Sequence, residues 1–370
     1  MLKLFEVEGY KNFKDKITLD FSNVRDYKFN EECLADGLIG KMLIYGKNSH
    51  GKTNFGKAIL DVMSVFFPEH SSSMDDGPFD QSYFNVHKRD KSARFRYVFQ
   101  FDKEIVEYIY EKKNVYDYLS YEKVLLDGAP LFEYDRESNT LNYEEKLKVF
   151  SPTLTHSFDM VESVFRFIIN NTPLDDLNPI KRTSEFINKM YMASVGSSLG
   201  YGSRGKKVSI LPTLKENLDE FNEFFSNFGI TENMKIIKDF TGEEKIYFDT
   251  NPPLPFLQIA SSGTLALLRY LTLRKKLENG EISFLFLDEF DAFYHFELAE
   301  GIVEVLKHAK NSQVILTTHN NDLCSNKYLR PDCCFTISNN KIVSFANATD
   351  RELREGHNIG KLNRSGEFNG

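Results

Sequence analysis

The sequence contains no tryptophan, few cysteines, no excess of positive charge and no long apolar run. The missing tryptophan excludes nothing, because 33 Phe and 18 Tyr supply ample aromatic core material. The four cysteines, Cys33, Cys324, Cys333 and Cys334, show no C-x-x-C spacing and no accompanying histidine ladder, which argues against a structural zinc site. Cys333 and Cys334 are adjacent, so on a strand they point to opposite faces and do not readily share a metal. Scattered thiols in a chain of 370 residues suit a reducing cytosol. A formal net charge of −8 speaks against a surface coated for nucleic acid. It leaves room for local basic patches, and Lys88 to Lys91 and Arg204 to Lys207 are either such patches or solvated loops. No run approaches the roughly eighteen apolar residues of a membrane span. The stretch Met1 to Glu8 also lacks the apolar core of a signal peptide. The expectation is a soluble, cytoplasmic protein without a membrane partner. Neither an internal repeat nor a heptad run long enough for an extended coiled coil is present.

The most informative stretch is Met42 to Lys57. An apolar run, Met42 to Tyr45, reads as a buried strand and feeds Gly46-Lys47-Asn48-Ser49-His50-Gly51-Lys52-Thr53. This octapeptide fits the Walker A pattern G-x-x-x-x-G-K-[ST] at every fixed position. From Asn54 to Phe67, apolar residues at Phe55, Ile59, Val62, Met63 and Phe66 keep helical spacing. Strand, glycine-containing loop and helix in that order is the context such a loop requires. Gly46 and Gly51 permit backbone conformations that aim several N–H groups into one concavity, and the helix N-terminus adds unpaired donors. Gly46, Asn48, Ser49, His50, Gly51, Lys52, Thr53 and Asn54 are therefore candidates for binding a nucleotide triphosphate. Lys52 brings a charge to the β- and γ-phosphates, and the Thr53 hydroxyl is a ligand for Mg²⁺.

A second half of that site lies far downstream. Ile282 to Leu287 is an apolar strand ending in Asp288-Glu289, a Walker B element. Asp288 is assigned to Mg²⁺, and Glu289 to orienting and activating a water.

Outside these two stretches the pattern changes repeatedly. Leu2 to Glu8 and Ile17 to Phe21 alternate as strands around a turn, Gly9 to Lys14, which either lies against the nucleotide or is a plain hairpin turn. Strand alternation dominates Ala93 to Thr140, with Asp127-Gly128 as a hairpin turn. Helical patterns occupy Glu144 to Phe228, interrupted by a Gly/Ser-rich piece, Ser194 to Gly205. Alternating strands and helices after Leu257 imply a mainly parallel α/β sheet. The division expected is an ATPase core of residues 1–68 and 257–345, an inserted β lobe and helical arm of 69–256, and a tail of 346–370. That tail either folds across the core, docks a partner, or frays.

Further elements complete a family resemblance. Ser261-Ser262-Gly263-Thr264 opens a helix ahead of Walker B and resembles the ABC signature motif; capping of that helix is a compatible role. Asp291 resembles the D-loop aspartate, and His319, after the strand Val314 to Thr318, resembles the switch histidine. The combination resembles the ABC-type ATPases related to RecF, SMC and OLD-family proteins. Within that group it is most similar to the stand-alone ATPases of phage defence (RloA, the AbiL type and the AriA subunit of PARIS systems). Ser261 to Leu265 and the tail Glu352 to Leu362 carry the closer match. The resemblance implies an ABC-type P-loop NTPase head with an antiparallel N-terminal β lobe and an inserted α-helical arm or lid. It also implies two copies facing head to tail around ATP and Mg²⁺. Lys52, Glu289 and His319 would be catalytic, while Ser262 and Gly263 would contact the γ-phosphate from the partner copy. A Q-loop glutamine is not evident; Gln81 falls in the plausible interval and Gln100 inside an expected strand.

Three functions follow from the resemblance. The first is a regulatory ATPase controlling a separately encoded effector, a Toprim-type nuclease or a toxin, in antiphage defence. The second is a RecF- or SMC-like ATPase acting directly on DNA, which the acidic balance and the short arm disfavour. The third is a non-catalytic scaffold that binds ATP only to assemble.

Overall fold

The computed structural model describes residues 1–67, 83–113, 119–143, 163–194 and 210–368. The strands are β1 (Leu2–Glu8), β2 (Ile17–Asp20), β3 (Leu34–Ala35), β4 (Leu38–Ile39), β5 (Lys41–Tyr45), β6 (Ser92–Phe101), β7 (Glu104–Lys113), β8 (Leu119–Leu126), β9 (Ala129–Asp135) and β10 (Thr140–Tyr143). They continue as β11 (Met190–Ser194), β12 (Met234–Lys238), β13 (Glu244–Phe248), β14 (Leu254–Pro255), β15 (Phe284–Asp288), β16 (Gln313–Thr318), β17 (Cys334–Ser338) and β18 (Lys341–Ser344). The helices are α1 (Lys52–Leu60), α2 (Val62–Phe66), α3 (Val164–Asn171), α4 (Pro179–Asn188), α5 (Ile210–Glu216), α6 (Leu218–Asn227), α7 (Phe256–Ile259), α8 (Ser262–Glu278), α9 (Phe296–Lys307) and α10 (Ile359–Arg364).

Two sheets dominate. One runs β11-β15-β16-β5-β17-β18 and is parallel except for β18. Its strands β15 and β16 are buried throughout, with apolar residues along most of their length, as a sheet covered on both faces requires. The other, β10-β9-β8-β7-β6-β1-β2, is antiparallel and alternates buried and partly exposed residues. Asp127 and Gly128, both at positive φ, make the two-residue turn between β8 and β9. A smaller antiparallel sheet is formed by β12, β13 and β14.

Helix α1 is packed between the two large sheets. Gly56 lets it lie on the ring of Phe286 in β15, where a Cβ would sit only 2.4 Å from the ring. On its other side Phe55 meets Phe5 of β1 edge-on at 5.7 Å, and the Ala58 carbonyl accepts from the Tyr97 hydroxyl of β6 at 3.0 Å. Burying such a ring stabilises by about 1.5–3 kcal/mol. Gln313 at the start of β16 joins the sheets directly, exchanging two hydrogen bonds with the Leu2 backbone at 2.7 and 2.8 Å.

The sheets divide differently from the expected split of 1–68 with 257–345 against an insertion of 69–256. Strand β6 pairs with β1, so the N-terminal strands and the expected inserted β lobe are one sheet. Strand β11 lies in the helical stretch of the sequence and is the edge strand of the parallel sheet, in register with β15 from Met190–Phe284 to Ser194–Asp288. Its five residues are too short to show a period against helical neighbours. The tail from 346 to 368 is folded. Leu353, Ile359 and Phe368 are buried, and Phe368 stacks on Phe345 at 4.3 Å. Gln81 and the 204–207 cluster lie outside the described residues, and Gln100 lies in β6.

All four cysteines are buried and unpaired. Among the described residues no cluster of His, Cys, Asp and Glu has metal-site spacing, and no helix is long and apolar enough to cross a membrane.

Candidate functional site

Three parallel strands end at one edge. Tyr45 of β5 pairs with Thr318 of β16, and Leu287 of β15 with Leu316 of β16. Gly46, His319 and the pair Asp288-Glu289 therefore emerge together at the carboxyl ends of the strands, where parallel sheets place ligands.

Residues 46–51 connect β5 to α1, and Lys47, Asn48 and Ser49 are exposed. Ser49 and Gly51 both take positive φ, 64° and 93°. Gly51 is required twice over: by that backbone angle, and because a Cβ there would lie 2.6 Å from Asn12 Nδ2. His50 Nδ1 lies 3.1 Å from the Ile337 carbonyl, and Asn54 Nδ2 donates to Asn12 Oδ1 at 2.7 Å. The Gly9–Lys14 turn thus rests against the phosphate loop, although Asn12 carries no motif that marks it in the sequence. Asn12 Nδ2 also reaches Asn340 Oδ1, in the β17–β18 turn, at 3.4 Å.

The ammonium of Lys52 donates to the carbonyls of Gly46 at 2.7 Å and Lys47 at 3.3 Å. It lies 3.1 Å from Nε2 and 3.3 Å from Nδ1 of His319. Burial pushes the Lys52 pKa below the usual lysine range, against the opposing pull of Asp288, Glu289 and Asp291. His319 Nε2 is in turn 3.4 Å from Glu289 Oε1. Lys52, His319 and Glu289 form one chain of contacts.

Asp288 is buried and both of its oxygens are held. Oδ2 accepts from the Thr53 hydroxyl at 2.6 Å and Oδ1 from the Thr317 hydroxyl at 2.6 Å. Thr317 Oγ1 accepts from the Glu289 N–H at 2.8 Å, which supports Glu289 at its positive φ of 48°. The neighbouring Thr318 hydroxyl donates to Asp291 Oδ2 at 2.7 Å, and burial holds the Asp291 pKa above the usual carboxylate range. The two threonines preceding His319 are the functional residues most easily missed in sequence. Their signal is a repeated hydroxyl at the buried end of an apolar strand.

A hydroxyl and a fixed carboxylate in contact with each other are oxygen donors of the kind Mg²⁺ takes. They adjoin a lysine and the N–H groups at a helix start, which suit phosphate. The residues present therefore fit a magnesium–triphosphate group. Ser262 and Gly263 are placed differently. Ser261 caps α8 by accepting from the Thr264 N–H at 3.1 Å, and Ser261 and Ser262 are exposed. Among the described residues a Cβ at Gly263 would meet Phe293 and Ser261 rather than the phosphate loop of its own chain.

Residues 41–325, well over half of the chain, match the family model described as "AAA domain, putative AbiEii toxin, Type IV TA system". The chain belongs to that family. This AAA-domain protein is a P-loop ATPase by type, with a mixed α/β fold. No curated protein sequence matches it. Similar solved structures include an SMC head bound to the C-winged helix domain of ScpA, with 18% identity, 93% of this chain and 97% of that one covered, and a TM-score of 0.47. The SMC head domain from Thermotoga maritima shows 17% identity, 93% and 98% coverage and a TM-score of 0.44. An Smc head domain with a coiled coil and joint derived from Pyrococcus yayanosii shows 12% identity, 93% and 96% coverage and a TM-score of 0.49.

Proposed function

We propose that this protein binds ATP with Mg²⁺, hydrolyses it in a dimer, and thereby controls a separately encoded effector, a nuclease or toxin, in antiphage defence. The observation that carries the reading is the meeting of Thr53 and Asp288 at 2.6 Å, beside Lys52, Glu289 and His319. Thr53 and Asp288 are the residues to hold Mg²⁺, which when bound neutralises the charge on the phosphate oxygens. Lys52 and the N–H groups of the 46–53 loop bind the β- and γ-phosphates. Glu289 is placed to orient and deprotonate a water, with His319 between it and Lys52. Ser262 and Gly263 reach the γ-phosphate of a partner copy, in keeping with the exposure of Ser262 at the start of α8. Nucleotide then closes the dimer, and hydrolysis reopens it. The family description names a putative toxin of a Type IV TA system, which supports a role within such a system.

The experiment uses Lys52→Ala and Glu289→Gln. Lys52→Ala should lose ATP binding. Glu289→Gln should bind ATP, turn over about a hundredfold more slowly and accumulate as a dimer. Wild-type turnover in Glu289→Gln removes that residue from its role and favours a scaffold that uses ATP only to assemble.

A second reading, action on DNA, draws on one observation. His87, Arg89 and Lys91 are exposed in the loop before β6, and Asn85 ties that loop to the Gly9 carbonyl at 2.8 Å, close to the phosphate loop. Turnover stimulated by double-stranded DNA would favour it.

A further inference from the structure

The loop that carries His319 is gripped by the end of the chain. After β16, Asn320 caps a short turn, Asn321–Leu323, by accepting from the Asp322 N–H at 2.9 Å. Asn321 faces two ways. Its Nδ2 reaches the hydroxyl of Tyr45, the residue before the phosphate loop, at 3.3 Å, and its Oδ1 accepts from Asn363 Nδ2 of α10. Asn363 is buried. One turn earlier on α10, Gly360 lies against the same loop, where a Cβ would sit 2.8 Å from the Asn321 carbonyl oxygen. Any larger residue there pushes helix and loop apart. Arg364 adds an ion pair to Asp322 at 2.7 Å, but both side chains are half exposed and the pair is weak.

The approach to α10 is also anchored. The Asn326 amide donates to the carbonyls of Arg354 at 2.9 Å and Glu355 at 3.2 Å. Asn358 caps α10 by accepting from the Lys361 N–H at 2.8 Å, and buried Ile359 and Phe368 bracket the helix. A side chain that must sit within about half an ångström of its working position depends on such support. His319 itself is partly exposed, and among the described residues its side chain hydrogen-bonds only Lys52 and Glu289, so support for its loop comes from behind.

We infer that the C-terminal segment is a strap on the His319 loop, with Asn363 and Gly360 as positioning residues for that histidine. The inference rests on the ATPase reading of the site. The strap makes the rate of ATP hydrolysis, rather than ATP affinity, answer to the state of the last helix. A partner that binds or displaces α10 then has a route to the γ-phosphate end of the site without touching nucleotide.

The test compares full-length wild type with Asn363→Ala, Asn363→Asp, Arg364→Ala, His319→Ala and the double variant His319→Ala/Asn363→Ala. Asn363→Asp keeps the side-chain shape but turns a donor into an acceptor facing Asn321 Oδ1, so it serves where the alanine variant folds poorly. Turnover in both Asn363 variants should fall about tenfold or more, with ATP affinity held within about twofold. Arg364→Ala should stay near wild type. The double variant should be no slower than His319→Ala, because the strap acts through that histidine. In ¹³C-histidine-labelled protein, which has 8 His, the resonance lost in His319→Ala should move in Asn363→Ala. Wild-type turnover in both Asn363 variants overturns the inference, and so does a double variant slower by the full single-site factor. If His319→Ala turns over normally, the reading of the site fails at that residue. The resonance alone then decides the strap: a shifted signal supports it and an unmoved one ends it.

Discussion

At the scale of single residues, burial and charge explain more than motif membership does. Lys41 begins β5 and is 6% exposed, with its ammonium on the Ser312 carbonyl at 2.6 Å. Burial pushes its pKa from 10.5 down to about 8. The charged form is therefore penalised in the fold. Below pH 8 the penalty is fully present; it fades as pH rises toward the unfolded value of 10.5, above which both states are neutral. Lys41→Met, similar in volume, should raise stability at pH 7 on the order of 1–3 kcal/mol. That gain should shrink between pH 8 and 10.5, as read by urea unfolding of both proteins across that range. Lys52 is buried too, but its ammonium meets two carbonyls and an imidazole in a loop open to solvent on its far side. One lysine is a cost of the fold and the other belongs to the site, and nothing in the local sequence around Lys41 distinguishes it as buried.

At the scale of elements, the junction of α1 and α2 ties the phosphate loop to the antiparallel sheet. Asp61 sits between the two helices and is buried. Its Oδ1 accepts from the Tyr83 hydroxyl at 2.7 Å, and its Oδ2 from the Tyr110 hydroxyl at 2.7 Å and from the Lys112 ammonium at 2.8 Å. Lys112 also donates to the Ser64 hydroxyl at 2.9 Å. Asp61→Asn would turn one acceptor into a donor against these donors and leave Lys112 without its counter-charge. The expected loss is about 3–5 kcal/mol in urea unfolding, an effect far larger than for an exposed pair. The helix that follows the 46–51 loop would also lose its registration on β7. β1 and the hairpin at Asp127-Gly128 are legible in the sequence from alternation and a turn pair, β16 from its short apolar run, and α8 from its Ser/Gly opening rather than from one apolar face. Strand β11 is not, because five residues among helical neighbours carry no period of their own.

At the scale of the whole molecule, the faces left open bear on assembly. Leu257 and Ile259 ahead of α8, and Phe293 and Phe296 beyond Asp291, are exposed apolar side chains. The Phe293 carbonyl lies 3.7 Å from where a Gly263 Cβ would be, so this apolar surface borders the Ser262-Gly263 corner. In the dimer proposed above, the second copy would cover it. Phe293→Glu in the Glu289→Gln background should bind ATP as before yet remain a monomer by light scattering, where Glu289→Gln alone runs as a dimer. A dimer that survives Phe293→Glu would move the interface elsewhere.

The sequence by itself determined the phosphate loop, the acidic pair at Asp288-Glu289 and the histidine after β16, because each follows an apolar strand and is written in consecutive residues. Tertiary structure alone decided which distant groups steady them: Asn12 against Gly51, Thr317 on Asp288, β11 beside β15, and α10 on the His319 loop. Those contacts join segments far apart in the chain. A buried hydroxyl or amide finds its partner through the way the sheets pack, and no local pattern encodes that packing.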